Sequence, residues 1–86
     1  MGTLFDDKAF EQLMYWVRED RKIAAKIHSL INDIHRNGIS EGIGKPEHLK
    51  RDDGWSRRID HENRLVYDTD KDGNVRIISC KGHYED

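Results

Sequence analysis

Apolar positions fall into two regimes along the chain, first at helical spacing and then in short runs. Phe10, Leu13, Met14 and Val17 follow the i, i+3, i+4, i+7 rule, so they share one face of a helix ending near Glu19. Asp6 or Asp7 is suited to cap its start, and Leu4-Phe5 just before it is a minimal strand. Asp20 is suited to cap a second helix with the apolar stripe Ile23, Ile27, Leu30, Ile31 and Ile34 and with Arg21, Lys22, Lys26 and Arg36 on its polar side. Asn37-Gly38 is its stop signal. Two helices meeting at Asp20 read as a helical hairpin.

Residues 38–46 hold three glycines and the only proline, which predicts a loop. Beyond Pro46 the period shortens. Trp55 to Ile59, Leu65 to Tyr67 and Val75 to Cys80 are aromatic or β-branched runs separated by polar turns, and Asp72-Gly73 is a hairpin signal. Helices followed by such a meander predict an α+β fold, with two N-terminal helices packed on one face of a small, mostly antiparallel sheet. The other face is left for function.

Eighty-six residues fit one domain, residues 1–86. With 35% hydrophobic and 37% charged residues, the core is thin, and a dimer or a tight partner is expected to support it. The periodic apolar positions exclude a disordered chain. The formal net charge of −2 does not announce a nucleic-acid binder. Lys45, Lys50, Arg51, Arg57, Arg58 and Arg64 do cluster, interleaved with Glu47, Asp52, Asp53, Asp60 and Glu62, and form a basic patch if the strands sort the signs by face. Cys80 is the sole cysteine, which rules out an internal disulfide and fits a buried strand thiol in a reducing cytosol. No apolar run is long enough to span a membrane and the N-terminus has no signal-peptide pattern, so a cytoplasmic protein is expected.

Three apparent motifs fail on inspection. Asp68, Asp70, Asp72 and Gly73 open like a calcium loop, but Ser79 stands where the bidentate glutamate belongs and the flanks read as strands. The five histidines lack the tight paired spacing of a zinc site. Gly42-Ile43-Gly44-Lys45-Pro46 lacks the spacing of a phosphate loop and reads as a flexible connector.

What remains is a carboxylate, a guanidinium and an imidazole at the edges of the strand runs. Metal-free RNA cleavage uses the ribose 2′-hydroxyl as nucleophile, so it needs a base for the 2′ proton, a cation for the phosphorane and an acid for the departing 5′ oxygen. Glu47 follows Pro46 at the border of loop and strand. Arg64 starts a strand, and its fork suits phosphate oxygens. His83 has the residue type for proton donation, and Tyr84 suits stacking on a base or bonding to phosphate. Taken singly, each has an ordinary reading: a solvated Glu47, an Arg64 paired with Glu62 or Asp60, a frayed His83.

The stretches Tyr15-Trp16, Gly44-Lys45-Pro46-Glu47-His48-Leu49-Lys50, Trp55-Ser56-Arg57-Arg58-Ile59, Arg64-Leu65-Val66-Tyr67 and Cys80-Lys81-Gly82-His83-Tyr84, in this order, run nearly end to end. Through them the chain resembles the YoeB group of the RelE-like (RelE/ParE) superfamily of bacterial toxins. The resemblance implies a RelE-like microbial RNase fold and a ribosome-dependent mRNA endoribonuclease that enters the A site of the 70S ribosome. It also implies a cognate YefM-like antitoxin as inhibitor, a homodimer, and no metal, cofactor or membrane. By resemblance Glu47 is the general base, His83 the general acid, Arg64 the phosphate clamp and Tyr84 a substrate-orienting residue. Lys50 assists at the phosphate, while Arg57, Arg58, Lys22 and Lys26 face ribosomal RNA. Two departures are the slightly acidic charge, where the family tends to be basic, and Glu85-Asp86 after the His-Tyr pair, where the family commonly ends. The rivals are a non-catalytic ribosome or RNA binder, a protein that only sequesters a DNA-binding partner, and a nuclease of free RNA.

Overall fold

The computed structural model describes residues 1–50 and 53–83. Among these, the elements are β1 (Thr3–Phe5), α1 (Asp7–Glu19), α2 (Arg21–Asn37), β2 (Glu47–His48), β3 (Trp55–Arg58), β4 (Arg64–Thr69) and β5 (Val75–Ser79). The strands make one sheet in the order β1-β5-β4-β3-β2. β1 runs parallel to β5, and the other neighbouring pairs are antiparallel. The expected α+β architecture is therefore present.

Local chemistry explains the element ends. The Asp20 carboxylate accepts from the backbone N–H groups of Lys22 and Ile23 and so caps α2 as expected. Asp6 occupies the cap position of α1, but its side chain makes no capping bond and lies instead 3.8 Å from Arg76. The β4–β5 turn is organised by Asp70, whose carboxylate accepts from the backbone of Asp72 and Asn74 and from the Asn74 amide. The apparent calcium motif is thus a self-satisfied hairpin turn.

α1 contributes Ala9 and Trp16 to the core, α2 contributes Ile27, Leu30 and Ile34, and the sheet contributes Leu65, Tyr67, Val75 and Ile77. Cys80 is also buried there, as expected. Residues alternate across each strand, so Ser56, Arg58, Arg64 and Arg76 belong to the sheet face away from this core.

The same alternation corrects one expectation. Arg57 does not face RNA: it points into the interior, is wholly inaccessible to solvent, and its five N–H donors are all used. Nε bonds the Tyr67 hydroxyl at 2.9 Å, Nη1 reaches Asp33 and the carbonyl of Ile43, and Nη2 reaches the carbonyls of Gly38 and Glu41. These bonds fix the expected loop 38–46 and overturn the reading of its residues 42–46 as a flexible connector. Three of its carbonyls are fixed by Arg57, and a fourth, on Gly44, accepts from the backbone of Arg58 at 2.7 Å. Gly42, at φ +116°, lies so close to Asp33 that a Cβ there would sit 1.9 Å from the carboxylate.

Candidate active site

β2 and β3 pair with Glu47 opposite Ser56, and β3 and β4 pair with Ser56 opposite Val66 and Arg58 opposite Arg64. Cross-strand partners share a sheet face. Glu47, Ser56, Arg58 and Arg64 therefore meet on the face away from the helices. The Arg64 guanidinium lies 3.4 Å from the Glu47 carboxylate and donates to the Ser56 hydroxyl at 3.3 Å. The Glu47 side chain is 60% exposed, so this ion pair adds little to stability. Directly opposed arginines such as Arg58 and Arg64 repel one another. One carboxylate does not neutralise both, and the face is locally cationic, as a phosphate site requires.

The structure links His83 to Arg64 through the backbone, and Gly82 and His83 line a cleft with Tyr15, Trp16, Asp60 and Asn63 that includes neither Glu47 nor Arg64. The Arg64 N–H donates to the carbonyl of Gly82 at 3.0 Å, so the residue before His83 is tied to Arg64. The upstream end of the segment is held by α1. Trp16 Nε1 donates to the Cys80 carbonyl at 3.0 Å, and the Cys80 N–H donates to the Gln12 side chain at 2.7 Å. Burial pushes the Cys80 thiol up to about 11, which suits a core residue and not a nucleophile. His83 itself is exposed.

Lys50 and Arg58 are exposed, Lys50 two residues beyond β2 and Arg58 beside Arg64, whereas Arg57 belongs to the interior. Lys22 and Lys26 are exposed on α2. Tyr84, Glu85 and Asp86 lie outside the described residues. Ser56 was missed by sequence reasoning, although strand alternation from Arg58 would have put it on the functional face. Asp33 was missed too. The bond from Arg57 outweighs the opposing effect of burial and holds its carboxyl below the usual range, helped by the Ile43 N–H and the Asn37 amide. Among the described residues, no three His, Cys, Asp or Glu side chains converge as a metal-binding group. Among the same residues, no helix is long and apolar enough to cross a membrane.

The architecture is that of small bacterial toxins. It superposes on the YoeB dimer from Staphylococcus aureus with a TM-score of 0.90 at 49% identity, covering 98% of each chain. The toxin-type chain matched in the heterotetrameric YoeB-YefM toxin-antitoxin complex of the same organism gives a TM-score of 0.89 at 46% identity, again over 98% of each. Toxin YoeB of Mycobacterium bovis is 45% identical over 82 residues, 93% of this chain and 94% of that protein. Residues 5–84 match the family described as the YoeB-like toxin of bacterial type II toxin-antitoxin systems, and the chain belongs to that family.

Proposed function

We propose that this chain is a cytoplasmic mRNA endoribonuclease that acts in the A site of the 70S ribosome and stops translation. The reaction is a transesterification without a metal. Glu47 removes the proton of a ribose 2′-hydroxyl, and the 2′ oxygen attacks the neighbouring phosphorus. Arg64 holds the phosphoryl oxygens as charge accumulates, with Arg58 and Lys50 adding positive potential around them. The P–O5′ bond breaks, and His83 supplies the proton to the leaving oxygen, which leaves a 2′,3′-cyclic phosphate and a 5′-hydroxyl. Tyr84 orients the substrate.

The observation that carries this reading is the 3.4 Å approach of the Glu47 carboxylate to the Arg64 guanidinium on the sheet face away from the helices, opposed by a second arginine. The base then lies beside the phosphate that the clamp would hold. Family membership supports it, and the Staphylococcus structures support a homodimer and a YefM-like antitoxin as partners.

Single-turnover cleavage of mRNA on programmed ribosomes tests the roles. Glu47→Ala and His83→Ala should each lower the rate by ~10²-fold or more, the usual contribution of a positioned acid or base. Cleavage by both variants at the native rate refutes the assignment. An intact transcript on arrested ribosomes would instead identify a non-catalytic translation blocker.

A further inference from the structure

Gly82 is gripped at both its N–H and its carbonyl by two consecutive residues of another segment. Its carbonyl accepts from the Arg64 backbone, and its N–H donates to the Asn63 side-chain oxygen at 2.8 Å. The Asn63 amide nitrogen in turn donates to both oxygens of Asp60, at 3.1 and 3.2 Å. Asp60 is fixed by the backbone N–H groups of Glu62 and Asn63, at 2.8 and 2.7 Å. The chemistry leaves no freedom in the direction of the Asn63 amide. A carboxylate only accepts and a backbone N–H only donates, so the nitrogen must face Asp60 and the oxygen must face Gly82. Gly82 meets this grip at φ +85°, a conformation that suits glycine, and the next residue is His83.

We infer that Asn63 is a positioning residue for His83, with Asp60 holding Asn63 in place. The inference rests on the proposed function, in which His83 protonates the leaving 5′ oxygen. The segment after β5 lies beyond the sheet ladder, and its backbone is held downstream of Cys80 by Asn63 and Arg64. The Arg64 N–H cannot be removed by changing a side chain, whereas the Asn63 oxygen can. Without it Gly82 keeps one anchor, the peptide can swing about it, and the imidazole loses its aim. A displacement of about 1 Å at a reacting group slows chemistry by up to ~10²-fold.

The test uses the full chain on programmed ribosomes with two mRNAs, one with the ordinary oxygen and one with sulfur at the 5′ bridging position of the scissile bond. A departing thiolate needs no proton, so a defect in the acid disappears on the sulfur substrate. His83→Ala should be slow on oxygen and recover on sulfur. Asn63→Ala should show the same pattern, with a loss on oxygen of roughly 10- to 100-fold, near-native cleavage of sulfur and unchanged ribosome affinity. Native-rate cleavage of oxygen by Asn63→Ala, or an equal loss on both substrates, overturns the inference alone. A His83→Ala variant that cuts the oxygen substrate at the native rate overturns the proposed function and the inference with it. If Asn63→Ala melts below the assay temperature, the double exchange Asp60→Asn with Asn63→Asp decides. It keeps an amide against a carboxylate, with an acceptor for Gly82, and should cleave oxygen within a few-fold of native. A double variant that melts normally yet stays slow overturns the inference.

Discussion

Arg57 and Arg58 are neighbours with the same side chain, yet replacing each by lysine should have unlike consequences. The Arg57 guanidinium meets five acceptors: Tyr67, Asp33 and the carbonyls of Gly38, Glu41 and Ile43. A lysine brings three donors on a tip that lacks the planar fork, so at least two acceptors lose their partner even in the best geometry. Each polar group left unsatisfied inside the protein costs ~1–3 kcal/mol, and Arg57→Lys should therefore cost ~2–6 kcal/mol. In a domain of this size one kcal/mol moves the melting midpoint by roughly 4–8 °C, so the midpoint should fall by at least ~8 °C. Arg58→Lys changes an exposed side chain and should stay within ~0.5 kcal/mol. Urea unfolding followed by Trp16 and Trp55 fluorescence, at one fixed protein concentration, measures both variants. An Arg57→Lys variant as stable as the native chain would refute the five-donor account of loop 38–46.

Arg64→Ala should slow the chemical step at saturating ribosomes far more than it weakens ribosome binding, and an equal loss in both would place Arg64 in docking instead of catalysis. The Cys80 thiol, raised to about 11 by burial, should resist a thiol reagent at neutral pH in the native protein and react on unfolding; rapid labelling of the folded chain contradicts this. Acid should destabilise the fold through Asp33 and Asp70. The Arg57 bond holds Asp33 below its ordinary 3.8, and the Asn74 N–H with the amide of the same residue does so for Asp70. Carboxyls lowered in the folded state contribute stability that is complete above the unfolded pKa and is lost as the pH falls through the folded one. The melting midpoint should thus drop as the pH falls below 3.8, and a midpoint that rises there would reverse the sign.

Side-chain period made much of this fold legible before any coordinates. The α2 stripe from Ile23 to Ile34, the Asp20 cap and the Asp72-Gly73 turn are local signals, and each fell where the sequence placed it. Residue type and strand edges suggested that Glu47, Arg64 and His83 meet; Glu47 and Arg64 approach, whereas His83 is linked to Arg64 through the Gly82 backbone. The Arg57 error arose from treating two adjacent arginines as one basic patch, when a strand must send them to opposite faces. Even with the face assigned, the sequence does not reveal that a buried guanidinium has partners. Its acceptors come from α2, β4 and a loop whose carbonyls have no sequence signature. The same holds for Asn63, whose role depends on a glycine nineteen positions away. The parallel pairing of β1 with β5 is likewise a tertiary fact, set by where α1 and α2 return the chain.

Arg64, Glu47 and His83, which we propose as clamp, base and acid, stand on supports of unequal quality. Arg64 belongs to β4, an interior strand bonded on both sides by β3 and β5, so the sheet itself places it. Glu47 sits on β2, an edge strand of two residues, and His83 lies past the end of β5, where the ladder has stopped. Ladder hydrogen bonds alone cannot position either one. Each is approached instead by a polar anchor reaching across the fold: Arg57 fixes the loop before Glu47, and Asn63 fixes the Gly82 N–H one residue before His83. A chain with 35% hydrophobic residues has little apolar material to pack beneath its loops. Directional bonds from a few buried or half-buried polar groups order those loops, because every acceptor they meet specifies a geometry where an apolar contact would specify only proximity. The high charge content that suggested a thin core thus also supplies Arg57 and Asp60, whose bonds order the segments next to Glu47 and His83.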